Sequence, residues 1–172
     1  MDKKYISNQD IASYLQKIAI AYEIKNKNFF RIRSYQDLAD TILTYPKSVF
    51  EIWQKDPKLL DNIPGVGENI LTKLNYWFKT GRNHPHVTAA LKDIHPAVFV
   101  FEKINEIGPK IAHKLTTKLK FSKDPQKSLN QLIKYAQNNK IATLETFGQK
   151  SQDLILQNTL NFLGQSKRIS LK

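Results

Sequence analysis

Apolar residues recur along most of the chain at the three- and four-residue spacing of amphipathic helices. The first such segment begins at Ser7, which forms a capping-box signature with Asp10, and continues to Tyr22. No stretch shows the strict alternation of apolar and polar residues that marks a half-buried strand. The pattern therefore predicts an all-α protein. The other predicted helical segments are residues 35–43, 49–53, 59–60, 70–80, 98–104, 109–119, 128–136 and 149–162.

The helical pattern is interrupted after Gly81, where the dipeptides His84-Pro85 and His95-Pro96 occur. This interruption predicts a boundary between two small helical subdomains, residues 1–82 and 83–164, each with a helix-hairpin-helix element. A basic tail, residues 165–172, follows and is expected to be loose.

Two predicted helices are joined by the turn Ile63-Pro64-Gly65-Val66-Gly67. We expect both glycines to adopt positive φ and to let the backbone approach a ligand closely. The free N–H groups at the start of the next helix lie at the positive end of its dipole and favour an anion. Gly65, Val66 and Gly67 are therefore predicted to bind a DNA phosphate. A plain helix-to-helix turn is the alternative.

Two further segments repeat this turn at roughly forty-residue intervals, which indicates an internal repeat. Residues 104–110 keep Gly108 but have Glu106 in place of the first glycine, and residues 144–150 carry Glu145. Either carboxylate would repel a phosphate, although Lys103 and Lys110 would offset the charge of Glu106. Both segments stay open to the same two interpretations, a phosphate site and a plain turn.

The chain is strongly basic. Lys and Arg number 27 against 15 Asp and Glu, a formal net charge of +12, which favours a polyanionic partner. Residues 1–86 carry +4 and residues 87–172 carry +8, so the second half is the expected clamp on a nucleic-acid backbone. Lys110, Lys114 and Lys118 recur every four residues on one helix face and are predicted to bind DNA. A solvated charged face is the alternative.

Several classes of protein are disfavoured. The chain has no cysteine, and its four histidines lack a shared ligand spacing, so no zinc site and no required cofactor are predicted. No apolar stretch approaches the ~20 residues that span a bilayer. We therefore expect a soluble, DNA-associated protein of the cytoplasm, or of the nucleus in a eukaryote, with DNA rather than a membrane as partner.

Specific runs resemble the amino-terminal region of family X DNA polymerases. These are residues 28–35, the turn at residues 63–67 with Lys73 six residues beyond it, and Ile107-Gly108-Pro109. The likeness extends from about Ile11 to Phe162. It implies a lyase subdomain that holds the downstream 5′-phosphate of a gap and a second subdomain that grips the primer side. No catalytic palm and no Asp-x-Asp pair follow, so polymerase activity is not expected.

The resemblance assigns roles to individual residues. Lys73 corresponds to the lyase nucleophile, Tyr35 to a pocket tyrosine, and Arg31 to a phosphate-binding lysine, with Arg33 beside it. Such a lysine attacks the C1′ aldehyde of an abasic sugar, and partial burial would lower its pKa. We expect Lys73 at the edge of the apolar helix face. Departures from the family are Asn69 and Asp61, where phosphate-pocket lysines would stand, and Thr72 in place of a glutamate. Asn69 is included among the predicted DNA-binding residues.

The resemblance also implies a monovalent cation, Na⁺ or K⁺, held by hairpin backbone carbonyls and sharing a DNA phosphate. The corresponding positions are Asp61, Ile63 and Val66 in the first hairpin, and Glu102, Ile104 and Ile107 in the second.

Three functions follow as hypotheses. The first is sequence-nonspecific binding of the backbone of duplex, nicked or gapped DNA, in DNA repair or DNA architecture. The second is a stand-alone 5′-deoxyribose phosphate or abasic-site lyase. The third is an adaptor that docks a DNA repair enzyme, which a large exposed apolar patch would favour.

Overall fold

The computed structural model describes residues 5–169, with side chains through residue 165. Within this range the chain forms nine α-helices and one 3₁₀ helix and no strand, which confirms the all-α prediction. The chain divides into two compact units, one ending at Lys92 and the other beginning at Asp93. Each unit contains its own apolar core.

Unit 1 is built on two long helices, α1 (Asn8–Ile24) and α2 (Phe29–Leu43), which pack along each other. The predicted capping box is present, because Asp10 N–H donates to Ser7 Oγ and the Asp10 carboxylate accepts from Ser7 N–H. The unit continues with α3 (Val49–Lys55), a 3₁₀ helix (Pro57–Asn62) and α4 (Glu68–Thr80). The apolar faces of these helices form the core: Ile11, Leu15, Ile18, Leu38, Ile42, Phe50, Leu60 and Leu74.

A further helix, α5 (Pro85–Leu91), packs on α1 and belongs to unit 1. Lys25 Nζ donates to the carbonyl of Ala89 at 2.8 Å, and Val87 and Ala90 are buried. The division of the chain therefore lies after Lys92, beyond the boundary predicted at residues 82–83. The dipeptide His84-Pro85 begins a helix here, because proline suits the first helical turn.

Unit 2 contains α6 (Val98–Phe101), α7 (Pro109–Lys118), α8 (Pro125–Gln137) and α9 (Gln149–Ile169). Helix α6 packs on α7, and α8 packs on α9. Its core is formed by Val98, Phe101, Ile104, Leu115, Leu132 and Ile141.

Two predicted boundaries are wrong. The helix that begins at Val98 ends at Phe101, before the predicted residue 104. The tail predicted to be loose from residue 165 continues α9 through Ile169, and its last three residues lie outside the described part. A single Gly164 does not end a helix, since glycine costs only ~1 kcal/mol in a helix interior.

Candidate nucleic-acid interface

Three turns in the molecule share one backbone conformation. Gly65, Glu106 and Thr146 occupy the same position in successive turns, and all three have left-handed backbone angles, with φ of 88°, 64° and 73°. In each turn the following N–H donates to a carbonyl three residues earlier at 3.0 Å: Val66 to Ile63, Ile107 to Ile104, and Phe147 to Leu144. The repeat indicated by the sequence is therefore a repeat of structure, and it includes the third turn. We call these turns hairpins 1, 2 and 3.

In each hairpin a glycine lies two residues after the left-handed residue, and its role differs from the predicted one. Gly67 has φ −97° and Gly108 has φ −73°, so the expectation of positive φ at both glycines of hairpin 1 is wrong for Gly67. An added Cβ at Gly67, Gly108 or Gly148 would meet no atom within 4 Å. These positions therefore leave open space for a ligand against the backbone.

The helix starts that follow hairpins 1 and 2 lack side-chain caps. Gly67 is the N-cap of α4 and Gly108 that of α7, and neither N-cap has a side-chain hydrogen bond. The first N–H groups of an α-helix have no partner within the helix, so an uncapped start offers them to a ligand. Pro109 removes one of these donors from hairpin 2.

A pocket of about 360 Å³ lies where hairpin 1 meets α2. Its lining includes Arg31, Tyr35 and Asn69, the residues to which the resemblance assigned a role in this region, so these three residues lie beside hairpin 1. Arg33 does not line this pocket; its Nε pairs with the Asp37 carboxylate at 3.0 Å on the surface. Asp61 is exposed in the 3₁₀ helix. The pocket is lined by Arg31, Ser34, Tyr35, Gly65, Gly67, Asn69 and Ile70.

Lys73 lies deeper than the edge position predicted from the sequence. Lys73 is only 2% exposed, and its Nζ donates to the carbonyl of Asn69 at 2.7 Å. Burial lowers the pKa of Lys73, and the positive charge of Arg31 lowers it further. A larger fraction of this amine is therefore neutral at a given pH than for an exposed lysine.

Buried tyrosines lie in the same unit. The hydroxyls of Tyr35 and Tyr14 are buried, that of Tyr35 beside Tyr22 and that of Tyr14 beside the backbone of His84. Burial raises the pKa of Tyr35 above its usual range and that of Tyr14 to about 12, so both stay protonated at neutral pH. The ring of Tyr35 meets Tyr22 edge to face at 5.4 Å, and Tyr14 stacks on Trp77 at 4.3 Å. The helical spacing of Tyr14 predicts only a core residue.

A second pocket, of about 350 Å³, lies between hairpins 2 and 3 in unit 2. Lys110 and Lys114 line it, together with Glu106 and the exposed apolar residues Ile111 and Leu154. The pocket is completed by Thr146, Phe147, Ser151 and Ile155.

The predicted lysine stripe on α7 does not behave as one uniform face. Lys114 Nζ donates to Thr146 Oγ1 and lies 5.9 Å from the centre of the Phe147 ring. Lys114 thus joins α7 to hairpin 3. Lys110 and Lys118 are exposed, Lys110 beside the second pocket and Lys118 in the last turn of α7.

Hairpin 3 is held by a buried glutamine that the sequence did not single out. Gln152 Oε1 accepts from the N–H groups of Ile141 and Ala142 at 3.2 and 3.0 Å. Its Nε2 donates to Asn139 Oδ1 at 2.7 Å. These bonds fix the chain that enters hairpin 3.

Residues 6–83 match the family model of the helix-hairpin-helix domain. The match spans α1 through α4, and it includes hairpin 1 with its pocket. Curated proteins yield no match to the chain. Over the described range, no helix is both long and apolar enough to cross a membrane.

Proposed function

We propose that the protein binds the phosphate backbone of DNA without reading base sequence, through hairpins 1, 2 and 3. The observation that carries the proposal is the common backbone of the three turns, with left-handed residues at Gly65, Glu106 and Thr146. A turn of this shape presents amide groups and not side chains, and amide contacts to phosphate position a protein on DNA without specifying sequence.

Charge supports the same partner. The formal net charge is +12, and residues 87–172, which include hairpins 2 and 3, contribute +8 of it. Helix starts without side-chain caps add partial positive charge at Gly67 and Gly108. Together these features favour a partner that carries closely spaced phosphates.

Unit 1 adds a preference for nicked or gapped DNA. Its pocket combines the guanidinium of Arg31 with the backbone of hairpin 1, which suits a terminal phosphate with two negative charges better than a diester with one. The resemblance to the lyase region of family X DNA polymerases supports this arrangement, and a role in DNA repair would follow from it.

Binding measurements on intact, nicked, gapped and single-stranded DNA at several salt concentrations test the proposal. A few neutralised phosphates give a log–log salt slope of about −3 to −6. Scrambling the sequence should leave the affinity unchanged. Salt-independent binding, or a thousandfold preference for one sequence over scrambled competitors, would refute a backbone clamp.

A specific observation favours lyase activity as a second function. Lys73 is buried, its pKa is lowered, and its Nζ donates to the carbonyl of Asn69, which lines the pocket with Arg31 and Tyr35. The neutral amine would attack the C1′ aldehyde of a 5′-deoxyribose phosphate, form a C–N bond and release water, which leaves an imine. Loss of a C2′ proton to water would then break the C3′–O bond and leave a 5′-phosphate on the downstream DNA, and hydrolysis of the remaining imine would release the unsaturated sugar phosphate and restore the amine.

Borohydride trapping tests this activity. If the imine forms, borohydride added during incubation with a 5′-deoxyribose phosphate substrate reduces it to a stable protein–DNA adduct. The adduct should disappear in Lys73→Ala but persist in Lys79→Ala, an exposed lysine on the same helix. No adduct with the wild type, or an adduct that survives Lys73→Ala, would remove Lys73 as the nucleophile.

A monovalent cation, Na⁺ or K⁺, forms part of the proposal for hairpins 1 and 2. The resemblance implies the carbonyls of Asp61, Ile63 and Val66 in hairpin 1 and those of Glu102, Ile104 and Ile107 in hairpin 2, and the turn hydrogen bond is 3.0 Å long in both hairpins. These oxygens would hold the ion, whose positive charge would be shared with a DNA phosphate. The adaptor function stays a prediction.

A further inference from the structure

Two phenylalanines at the start of α2 are exposed to an unusual degree. Phe29 is 69% exposed and Phe30 is 78% exposed, the highest values among the large apolar side chains of the described residues. Their rings contact each other edge to face at a centroid distance of 5.9 Å. Asn28 caps the helix at this point by accepting from the N–H groups of Phe30 and Arg31, so the position of the pair is fixed by the fold. Exposure of this much aromatic surface on an ordered helix start calls for a ligand.

The pair borders the pocket of unit 1. Phe30 precedes Arg31, which lines the pocket, and its carbonyl accepts from Ser34 Oγ, another lining residue, at 2.8 Å. Residues 30 and 34 lie one helical turn apart on the same face of α2. A molecule that placed a phosphate in the pocket would therefore have its neighbouring atoms near the Phe30 ring.

The surroundings of the pair are basic. Residues 24–36 contain Lys25, Lys27, Arg31 and Arg33, and since Arg33 pairs with Asp37, the other three supply the positive charge. A membrane-binding helix would need a long apolar stripe, and the other apolar positions of α2 are instead buried in the core, as at Ile32 and Leu38. Cations interleaved with exposed aromatic rings are the combination that binds unpaired nucleotides.

We infer that Phe29 and Phe30 form a stacking surface for an unpaired base that lies next to the terminal phosphate held in the pocket of unit 1. This inference rests on the proposed function and adds to it a recognition element for gaps, ends or single strands. Intact duplex offers no unpaired base to this surface, whereas each of those three DNA structures does.

A double-mutant cycle tests the inference. One axis is Phe29→Ala/Phe30→Ala against wild type. The other axis compares two duplexes with a one-nucleotide gap. In one, the unpaired template nucleotide carries its base; in the other, it is replaced by a tetrahydrofuran that has no base. Removing the two rings should weaken binding to the base-containing gap about tenfold or more. Wild type should lose a similar factor when the base is removed, and the double variant should not distinguish the two substrates.

Further variants separate stacking from general apolar contact. Phe30→Trp should keep the affinity for the gap, while Phe30→Leu should lose it. The control Leu43→Ala removes an apolar side chain that is 45% exposed at the other end of α2, and it should change nothing. Intact duplex should bind every variant within about twofold of wild type, because its backbone contacts are untouched. Single-stranded DNA should follow the gapped substrate.

Failure of the inference differs from failure of the proposed function. Wild type that binds no DNA in a salt-dependent way would refute both. Wild type that binds duplex steeply with salt, yet shows no coupling between the rings and the base, would refute the stacking surface alone. Equal losses of affinity for intact and gapped DNA in the double variant would also refute the stacking surface alone. Binding of anionic vesicles that is lost in the double variant, with gapped-DNA binding kept, would assign the pair to a membrane surface instead.

Discussion

Glu106 holds in hairpin 2 the left-handed backbone conformation that Gly65 holds in hairpin 1, with φ of 64° against 88°. Glycine adopts such angles freely, whereas other residues pay a steric cost. Hairpin 2 therefore keeps the shape of a phosphate-binding turn while carrying both backbone strain and a carboxylate that repels phosphate. Mutation of Glu106 therefore tests phosphate binding by hairpin 2 separately from phosphate binding by hairpin 1.

Replacing Glu106 by glycine should improve both stability and DNA binding. The strain relieved is ~1–2 kcal/mol and the flexibility gained in the unfolded chain offsets ~0.5–1 kcal/mol, so a modest net gain in unfolding free energy is expected. Denaturant unfolding measures the gain, and DNA titration at low salt should show tighter binding. Glu106→Gln is the control, because it removes the charge and keeps the strain. It should tighten binding without stabilising, and weaker binding by either variant would contradict phosphate contact at hairpin 2.

The two glycines of hairpin 1 should respond differently to alanine. Gly65→Ala places a Cβ at φ 88°, which should cost about 1–3 kcal/mol through strain, since the nearest atom of Leu38 would lie at an ordinary 3.6 Å. Gly67→Ala meets no atom at φ −97°, so stability should stay within about 0.5 kcal/mol while DNA affinity falls.

Gly81 supplies the matched control for these two variants. It ends α4 outside the hairpin turns with φ 68°. Gly81→Ala should therefore lose stability but keep the DNA affinity of the folded protein. Unchanged DNA binding by a folded Gly67→Ala would reduce hairpin 1 to a plain turn.

Much of the fold was predictable because its signals are local. The capping box at Ser7 and the apolar spacing of α1 are visible in the sequence without knowledge of any tertiary contact. Helix α5 was missed because His84-Pro85 was interpreted as a break, although proline is equally suited to a first helical turn. A helix of seven residues is stable only through packing, here on α1, and this packing cannot be recognised in the sequence.

The candidate site was predictable where backbone shape depends on glycine, and less so elsewhere. Hairpin 3 matched poorly in sequence, yet Thr146 takes the left-handed angle, because Gln152 and the chain around it impose the turn. The burial of Lys73, the buried hydroxyl of Tyr14 and the exposure of Phe30 depend on how helices pack, and helical periodicity alone leaves them undetermined.

Individual lysines of α7 should contribute separately to the salt dependence of binding. Lys118→Gln should reduce the log–log salt slope by about one and leave stability unchanged, because Lys118 is exposed at the helix end. Lys114→Gln should reduce the slope similarly and also destabilise unit 2 slightly, since it breaks the contact with Thr146. Lys134→Gln, on α8 away from the hairpins, is the control. A slope that changed equally in all three variants would indicate a diffuse charge effect.

Gln152 should prove essential to unit 2 without touching DNA. Gln152→Leu leaves the N–H groups of Ile141 and Ala142 without their acceptor, at ~1–3 kcal/mol for each. Thermal unfolding should show a marked loss, and hydrogen exchange should locate it at residues 139–148. Gln149→Leu is the control, because that side chain donates to the Asp153 carboxylate on the surface. Full stability in Gln152→Leu would mean that other contacts hold hairpin 3.

Lys73 should lower the stability of the fold that contains it. Burial lowers its pKa in the folded state, so below that pKa the folded protein carries a charged amine that is poorly hydrated. Lys73→Met should therefore raise the unfolding free energy at neutral pH, by ~0.5–2 kcal/mol. The carbonyl of Asn69 loses only the Nζ contact, because it keeps the backbone N–H of Lys73 as its partner in the helix.

The pH dependence of this gain provides the sharper test. Between the lowered pKa of folded Lys73 and the ordinary value of 10.5, the unfolded chain binds more protons than the folded one, so wild-type stability rises with pH relative to the variant. The advantage of Lys73→Met should be full below that window and should shrink as pH rises through it. Denaturant unfolding at neutral and alkaline pH measures the difference, with Lys79→Met, an exposed lysine of α4, as the control that shows neither effect. A stability difference between Lys73→Met and wild type that did not change with pH would mean that folding leaves the pKa of Lys73 at its ordinary value, and the amine would then have lost the physical basis for acting as a neutral nucleophile.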